Sequence, residues 1–317
     1  MNVLIDTIKM VLPVIICLLI GFYCKKSKLL SSSSIEAIKS IIGSITLPVV
    51  LFGAFFNADY SLKMLLVFVV IYLCCSIAMG FGFLTRKALS PYGKFYPFLV
   101  TGFEGGMLGY ALFKILMGGE SGSIFAVADI GQTVFAYTIF LAVLLSVDGQ
   151  KISAKGIFKN MFTNKAFLGM LFGIILGATG LAPIIKESSF GGILTELVSF
   201  ISAPNAFLIL IVVGFELSFK KELLKPILKA SGMRFLIMAS LLIVSSLVIF
   251  SIIPFDFMLF MALVVLFSLP APFITPIFAD TGESGEFIGG CYSFYTLITI
   301  IIFIILSVLV NSSVLSF

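Results

Sequence analysis

Residues 267–278 read Phe-Ser-Leu-Pro-Ala-Pro-Phe-Ile-Thr-Pro-Ile-Phe, in the middle of an apolar run long enough to cross a membrane. Pro270, Pro272 and Pro276 cannot all sit in a regular helix. Each lacks an N–H and drives its ring against the carbonyl four residues back. The carbonyls of Leu266, Ser268 and Pro272 therefore lose their helical partners. In lipid, broken backbone persists only where protein or a watery cavity lies beside it. Two readings follow: a kinked packing helix, since proline is common in membrane helices, or a helix broken at a substrate site, as in secondary transporters.

The rest of the chain makes the lipid setting compulsory. Of 317 residues, 60% are hydrophobic and 11% charged, more apolar surface than a soluble domain of this size can bury. There is no histidine, which removes imidazole relays, His metal sites and His-dependent triads. Cys17, Cys24, Cys74, Cys75 and Cys291 form no CxxC pair and read as small core residues. Neither a metal, a cofactor nor an enzyme's nucleophile is expected. The net charge of +5 reflects loop lysines rather than nucleic-acid binding. With no basic region ahead of it and no small-x-small cleavage site, the first apolar segment reads as a retained span.

Ten candidate spans follow, near residues 10–24, 38–56, 62–84, 95–117, 124–147, 166–181, 194–217, 235–253, 257–279 and 287–310. The connections alternate in charge. Lys25, Lys26 and Lys28 follow span 1, and Arg86, Lys87 and Lys94 follow span 3. Lys151, Lys155, Lys159 and Lys165 follow span 5; Lys220, Lys221, Lys225, Lys229 and Arg234 follow span 7. The other connections, such as Asn57-Ala58-Asp59, Gly118-Gly119-Glu120 and Pro254-Phe255-Asp256, are lysine-poor, and residues 280–286 are acidic. The positive-inside rule puts the basic loops in the cytoplasm and both termini outside. Five spans (1–147), a basic loop (148–165) and five more spans (166–317) suggest a repeat whose second half enters from the opposite side. Punctuation agrees: Pro48 and Pro204 fall in the second span of each half, and residues 103–109 and 270–276 disrupt the fourth.

These motifs carry a resemblance to the auxin efflux carrier family, which includes plant auxin carriers and bacterial permeases for malate and malonate. The matching residues are Leu12-Pro13-Val14-Ile15, Gly21-Phe22-Tyr23, Lys28-Leu29-Leu30, Thr46-Leu47-Pro48, Met107-Leu108-Gly109, Pro204-Asn205, Val213-Gly214, Leu269-Pro270 and Pro276-Ile277-Phe278. The resemblance covers nearly the whole chain and rests on the order and spacing of its motifs. It implies an all-α polytopic membrane protein of ten helices in two inverted repeats, like sodium/proton antiporters and bile-acid symporters. Spans 1, 2, 6 and 7 would form a scaffold. Spans 3–5 and 8–10 would form a mobile transport domain, with broken spans 4 and 9 crossing near the midplane. A scaffold-mediated homodimer is implied as well. The plant carriers break span 4 with prolines and place an asparagine at the crossing. Here Glu104 stands in that place, and the break is left to Gly102, Gly105, Gly106 and Gly109.

Glu104 is the sharpest candidate, because an ionisable side chain inside a span is costly and marks function. Burial favours its neutral form, so it suits proton coupling or substrate contact; a structural donor is the plain alternative. Asp129 and Gln132, three apart, share a helix face, and Gln132 aligns with a family glutamine near the substrate. Asp129 is a coupling candidate with Glu104. Gly105, Gly106, Asn205, Pro270, Pro272 and Thr275 complete the candidate substrate site. Ser44 and Thr46 are expected to repair backbone beside Pro48, and Glu216, close to Lys220, to form an interfacial salt bridge or to snorkel. Lys114 should snorkel.

The expectation is a secondary transporter in the cytoplasmic (inner) membrane. It would move a small, dicarboxylate-like organic anion by an elevator motion coupled to protons. Half-helix N-termini at the crossing would attract the anion, provided Glu104 is protonated when the site is loaded. A sodium-coupled symporter and a non-transporting membrane sensor are the alternatives.

Overall fold

A computed structural model describes residues 2–58, 60–118, 121–149, 154–217, 220–279 and 281–312. Asp59, Gly119, Glu120, Lys151 and Asp280, named above, lie outside them. The described residues form helices and turns, with no strand among them.

In chain order the helices are α1 (Asn2–Lys26), α2 (Ser32–Phe56), α3 (Leu62–Thr85), α4 (Tyr96–Leu99), α5 (Tyr110–Met117), α6 (Gly122–Val147), α7 (Ala154–Thr163) and α8 (Lys165–Ala178). There follow α9 (Leu181–Glu187), α10 (Ser189–Ser202), α11 (Asn205–Glu216), α12 (Leu224–Ile252), α13 (Phe257–Ser268), α14 (Thr275–Phe278) and α15 (Gly285–Asn311). Among the described residues seven helical stretches are long and apolar enough to cross a membrane. The count becomes eight if α8 and α9, bent by 87° at Thr179–Gly180, form one span. The described residues are thus all-helical, with apolar helices compatible with a polytopic membrane protein.

Local chemistry sets the ends. Ser31 and Ser34 make a reciprocal capping box at the start of α2. Asn164 accepts from Phe167 N at 2.9 Å to cap α8, and Asp256 accepts from Leu259 N at 3.0 Å to cap α13. Pro48 does not interrupt α2. A π turn over Ile42–Thr46 immediately precedes it and absorbs the misfit of the missing donor. By contrast, residues 95–117 are not one helix: α4 ends at Leu99, residues 100–104 are irregular, and a π turn over Gly105–Gly109 leads into α5. Residues 257–279 break in the same way between α13 and α14.

Several helix pairs approach backbone to backbone through glycine, α1–α11 and α8–α2 most closely. A Cβ on Gly21 of α1 would lie 2.1 Å from Ile211 O of α11, and one on Gly214 would lie 2.1 Å from Leu18 O. In the α8–α2 pair, Gly169 faces Pro48 O at 2.2 Å and Gly173 faces Phe52 O at 2.7 Å by the same measure. Small residues at four-residue spacing are how membrane helices pack, where lipid is as apolar as leucine and only close contact favours association. A second group of helices forms around α3, which packs on α4, α6 and α12. Large apolar side chains such as Leu19, Phe200, Leu236 and Leu247 remain exposed around the helices, as a lipid-facing surface requires.

Ion pairs gather the loops at two ends. Lys39 pairs with Glu216, and Lys220 with Glu286. Lys94 lies 3.5 Å from Asp148, and Lys229 Nζ donates to Ala88 O at 2.7 Å. Glu216 therefore forms a salt bridge, with Lys39 of neighbouring α2 as its partner. Arg234 is not a loop cation. The helix α12 begins at Leu224, about three turns earlier than hydropathy suggests, and carries Arg234 inside with 4% exposure.

At the other end Lys63 donates to Asp256 at 2.5 Å. Burial pushes the Asp256 carboxyl up, but the hydrogen bonds from Lys63 and Leu259 N outweigh it and hold the group below its usual range. A carboxyl depressed on folding stabilises above its unfolded pKa, and the contribution fades as pH falls below about 4. Asp256→Asn, which keeps the cap, is expected to cost about 0.5 kcal/mol at neutral pH and nothing at low pH. Asp256→Ala is expected to cost about 1 kcal/mol more through the lost cap. Thermal unfolding of both variants across pH checks this; an equal loss at all pH values would assign everything to the cap.

Candidate functional site

The two breaks touch. Glu104 N donates to Pro270 O at 2.8 Å, and Phe273 N donates back to Glu104 Oε2 at 2.7 Å. Gly102 adopts φ +69, where a side chain is strained, and a Cβ there would lie 2.9 Å from Pro272 Cγ. Glycine at 102 thus answers both the backbone turn and the proline ring across from it. Phe103 packs edge-on against Phe267, ring centroids 4.8 Å apart.

Each carbonyl freed by a proline finds a partner. Leu269 N donates to Leu266 O at 3.2 Å. Thr299 Oγ1 donates to Ser268 O at 2.5 Å, and Tyr292 OH to Pro272 O at 2.8 Å. Tyr292 and Thr299 are seven apart on α15 and so share one face. The side chain of Arg234 holds three further carbonyls. Its Nη1 donates to Leu99 O at 3.1 Å, and its Nη2 to Gly102 O at 2.9 Å and Leu269 O at 2.8 Å. These oxygens belong to the last turn or C-terminal flank of α4 and α13, the groups a broken helix leaves without donors.

Asp129 lies beneath the first break. It is 1% exposed and accepts from Gln132 Nε2 at 3.2 Å and Thr133 Oγ1 at 2.9 Å. Gln132 Oε1 in turn accepts from Phe103 N at 3.4 Å. The hydrogen bonds therefore run from Asp129 through Gln132 to Phe103, and through Glu104 to the proline segment. A Cβ on Gly105 would lie 2.1 Å from Asp129 Oδ1, so Gly105 serves as clearance for that carboxyl. The site brings together two buried carboxyls, an amide and the irregular backbone of both breaks, an arrangement suited to holding a proton and presenting hydrogen-bonding groups.

The remaining candidates stand elsewhere. Of the glycines expected to break span 4, only Gly102 sits at the break; Gly105, Gly106 and Gly109 are wound into the π turn. Gly106 faces Leu47 of α2 at ordinary contact distance. Asn205 accepts from Thr46 Oγ1 at 2.7 Å, so Thr46 bonds across to α11 rather than repairing its own helix. Thr275 is fully buried, and its hydroxyl has no hydrogen-bond partner among the described residues. Helix α14 is a single turn before Ala279 goes extended, so it supplies no developed N-terminal dipole for an anion. The side chain of Pro276 lies outside the described residues. Sequence reasoning missed Arg234, Tyr292, Thr299 and Thr133. A polar face at 292, 296 and 299 in the last apolar run was the available signal for two of them.

No protein-family model matches the chain, and no curated protein matches it.

Proposed function

We propose that the chain is a secondary transporter of the auxin efflux carrier type, moving a small organic anion by proton coupling. The observation that carries this reading is Glu104, whose backbone and carboxyl both bond to a second helix break inside a membrane protein. Discontinuous helices that meet near the midplane are how secondary transporters build substrate and ion sites. An ionisable group held there marks function rather than packing.

The helix packing supports ten spans in inverted repeats. If spans 1–5 correspond to spans 6–10, the pair of spans 1 and 7 must correspond to the pair of spans 6 and 2. Those are α1 with α11 and α8 with α2, both of which meet backbone to backbone through glycine. They form the scaffold in this reading, and the group around α3 and α12 the moving domain. Sidedness is supported by Lys220 pairing with Glu286, which joins the acidic loop to a basic one. With the basic loops cytoplasmic, both termini lie outside.

Counterflow into proteoliposomes with a panel of radiolabelled mono- and dicarboxylates tests the reading. Exchange of at least one small carboxylate is the expected result. A carboxylate that binds without exchanging would identify a sensor instead.

A further inference from the structure

We propose that Arg234 is a built-in cation occupying the coupling-ion position at the two breaks, so that the protein works without sodium. This rests on the transporter reading and deepens it by naming the ion that is not used.

Unwound backbone carbonyls and half-helix C-terminal ends are the groups that coordinate sodium in transporters with broken helices. Here three such oxygens, Leu99 O, Gly102 O and Leu269 O, converge at 2.8–3.1 Å on one guanidinium. They come from both breaks, so the side chain ties the two together as a bound ion would. One of them, Leu269 O, lies where the three-turn helix α13 ends, at its negative pole. Among the described residues no carboxylate lies within 4.0 Å of Arg234, which leaves the carbonyls and the Tyr295 ring, 5.2 Å from Cζ, to balance its charge. That differs from a structural ion pair, in which a buried arginine answers a specific acid. A sodium ion entering the same cage would sit within about 4 Å of the guanidinium and be repelled even at an intermediate dielectric. Arginine does not release its proton in proteins, so the position stays filled through a transport cycle. Protons are left to carry the coupling through Glu104 or Asp129.

The test is thermal stability of the purified protein in sodium chloride against choline chloride at equal ionic strength. The wild type is expected to unfold at the same temperature in both. Arg234→Ala empties the cage and is expected to gain sodium-specific stabilisation of about 3 °C at sodium ten times its dissociation constant. Arg234→Lys, which restores a tethered cation, is expected to lose that response again. A structural arginine would leave all three proteins equally indifferent to sodium. Sodium-specific stabilisation of the wild type, or a folded Arg234→Ala with no sodium response, would overturn the proposal. The wild-type comparison stands even where the alanine variant does not fold. It also separates the two readings. A protein that exchanges no carboxylate can still be sodium-indifferent, and one that transports with sodium stimulation refutes only the ion assignment.

Discussion

Glu104→Gln is expected to abolish proton-driven accumulation of substrate while leaving exchange in place. Glutamine keeps an oxygen to accept from Phe273 N, and the backbone bond from Glu104 N to Pro270 O does not involve the side chain. The contact between the breaks is therefore retained, and the variant should fold. What it loses is the capacity to change protonation state. A gradient of one pH unit is worth about 1.4 kcal/mol per proton, which corresponds to a tenfold accumulation ratio. Wild-type proteoliposomes should approach that ratio with one coupled proton, and the variant should equilibrate at a ratio of one. Counterflow, which needs no gradient, should persist, because the neutral amide imitates the protonated, loaded state. Accumulation that survives in Glu104→Gln and disappears in Asp129→Asn would move the coupling proton one link down the hydrogen-bonded chain, to the carboxyl under Gly105.

How much of this was legible beforehand follows from what each residue's signal depends on. The break at residues 269–274 was readable because proline forbids the helix whatever surrounds it. Its carbonyls were rightly identified as orphans, but their partners were not, since Tyr292 and Thr299 reach them only through the packing of α15. The break at residues 100–104 was placed too late. Glycine permits an irregular backbone without requiring it, and only the Pro272 ring against Gly102 shows which glycine is needed. Arg234 was misread for a related reason. It follows four lysines, and hydropathy reads a cation at the edge of an apolar run as loop, whereas α12 is long enough to carry it to the breaks. Gln132 and Asp129 were found because three-residue spacing on a helix is a local property. Asn205 and Thr46 were each noticed, but their mutual bond spans 159 residues of sequence and has no local signature.

The glycine contacts give the second large effect. Gly214→Val and Gly169→Val are each expected to lower thermal stability sharply, and together to prevent recovery of a monodisperse protein. A Cβ at either site would lie 2.1 Å or 2.2 Å from a backbone carbonyl oxygen of the partner helix. Backbone cannot swing aside like a side-chain tip, so the helices must separate along their length. Overpacking costs about 1–3 kcal/mol and occasionally more, and a clash against helix backbone belongs at the upper end. The two sites lie in different helix pairs, so their costs should add, reaching about 6 kcal/mol against a total stability of about 5–15 kcal/mol. Gly80→Ala, Gly192→Ala and Gly232→Ala are the controls: nothing lies within 4 Å of a Cβ at any of them. Alanine there should be neutral or stabilise by about 0.5 kcal/mol, since glycine in a helix is the less favourable residue. Fluorescence-detected size-exclusion after heating, on a fluorescent-protein fusion, reads all of these in detergent. The inverted repeat adds a quantitative demand. If the α1–α11 and α8–α2 pairs are the same contact used twice, Gly214→Val and Gly169→Val should cost similar amounts. A severe loss at one site beside indifference at the other would leave two unrelated helix pairs, and would remove the packing argument for the repeat while leaving the touching breaks untouched.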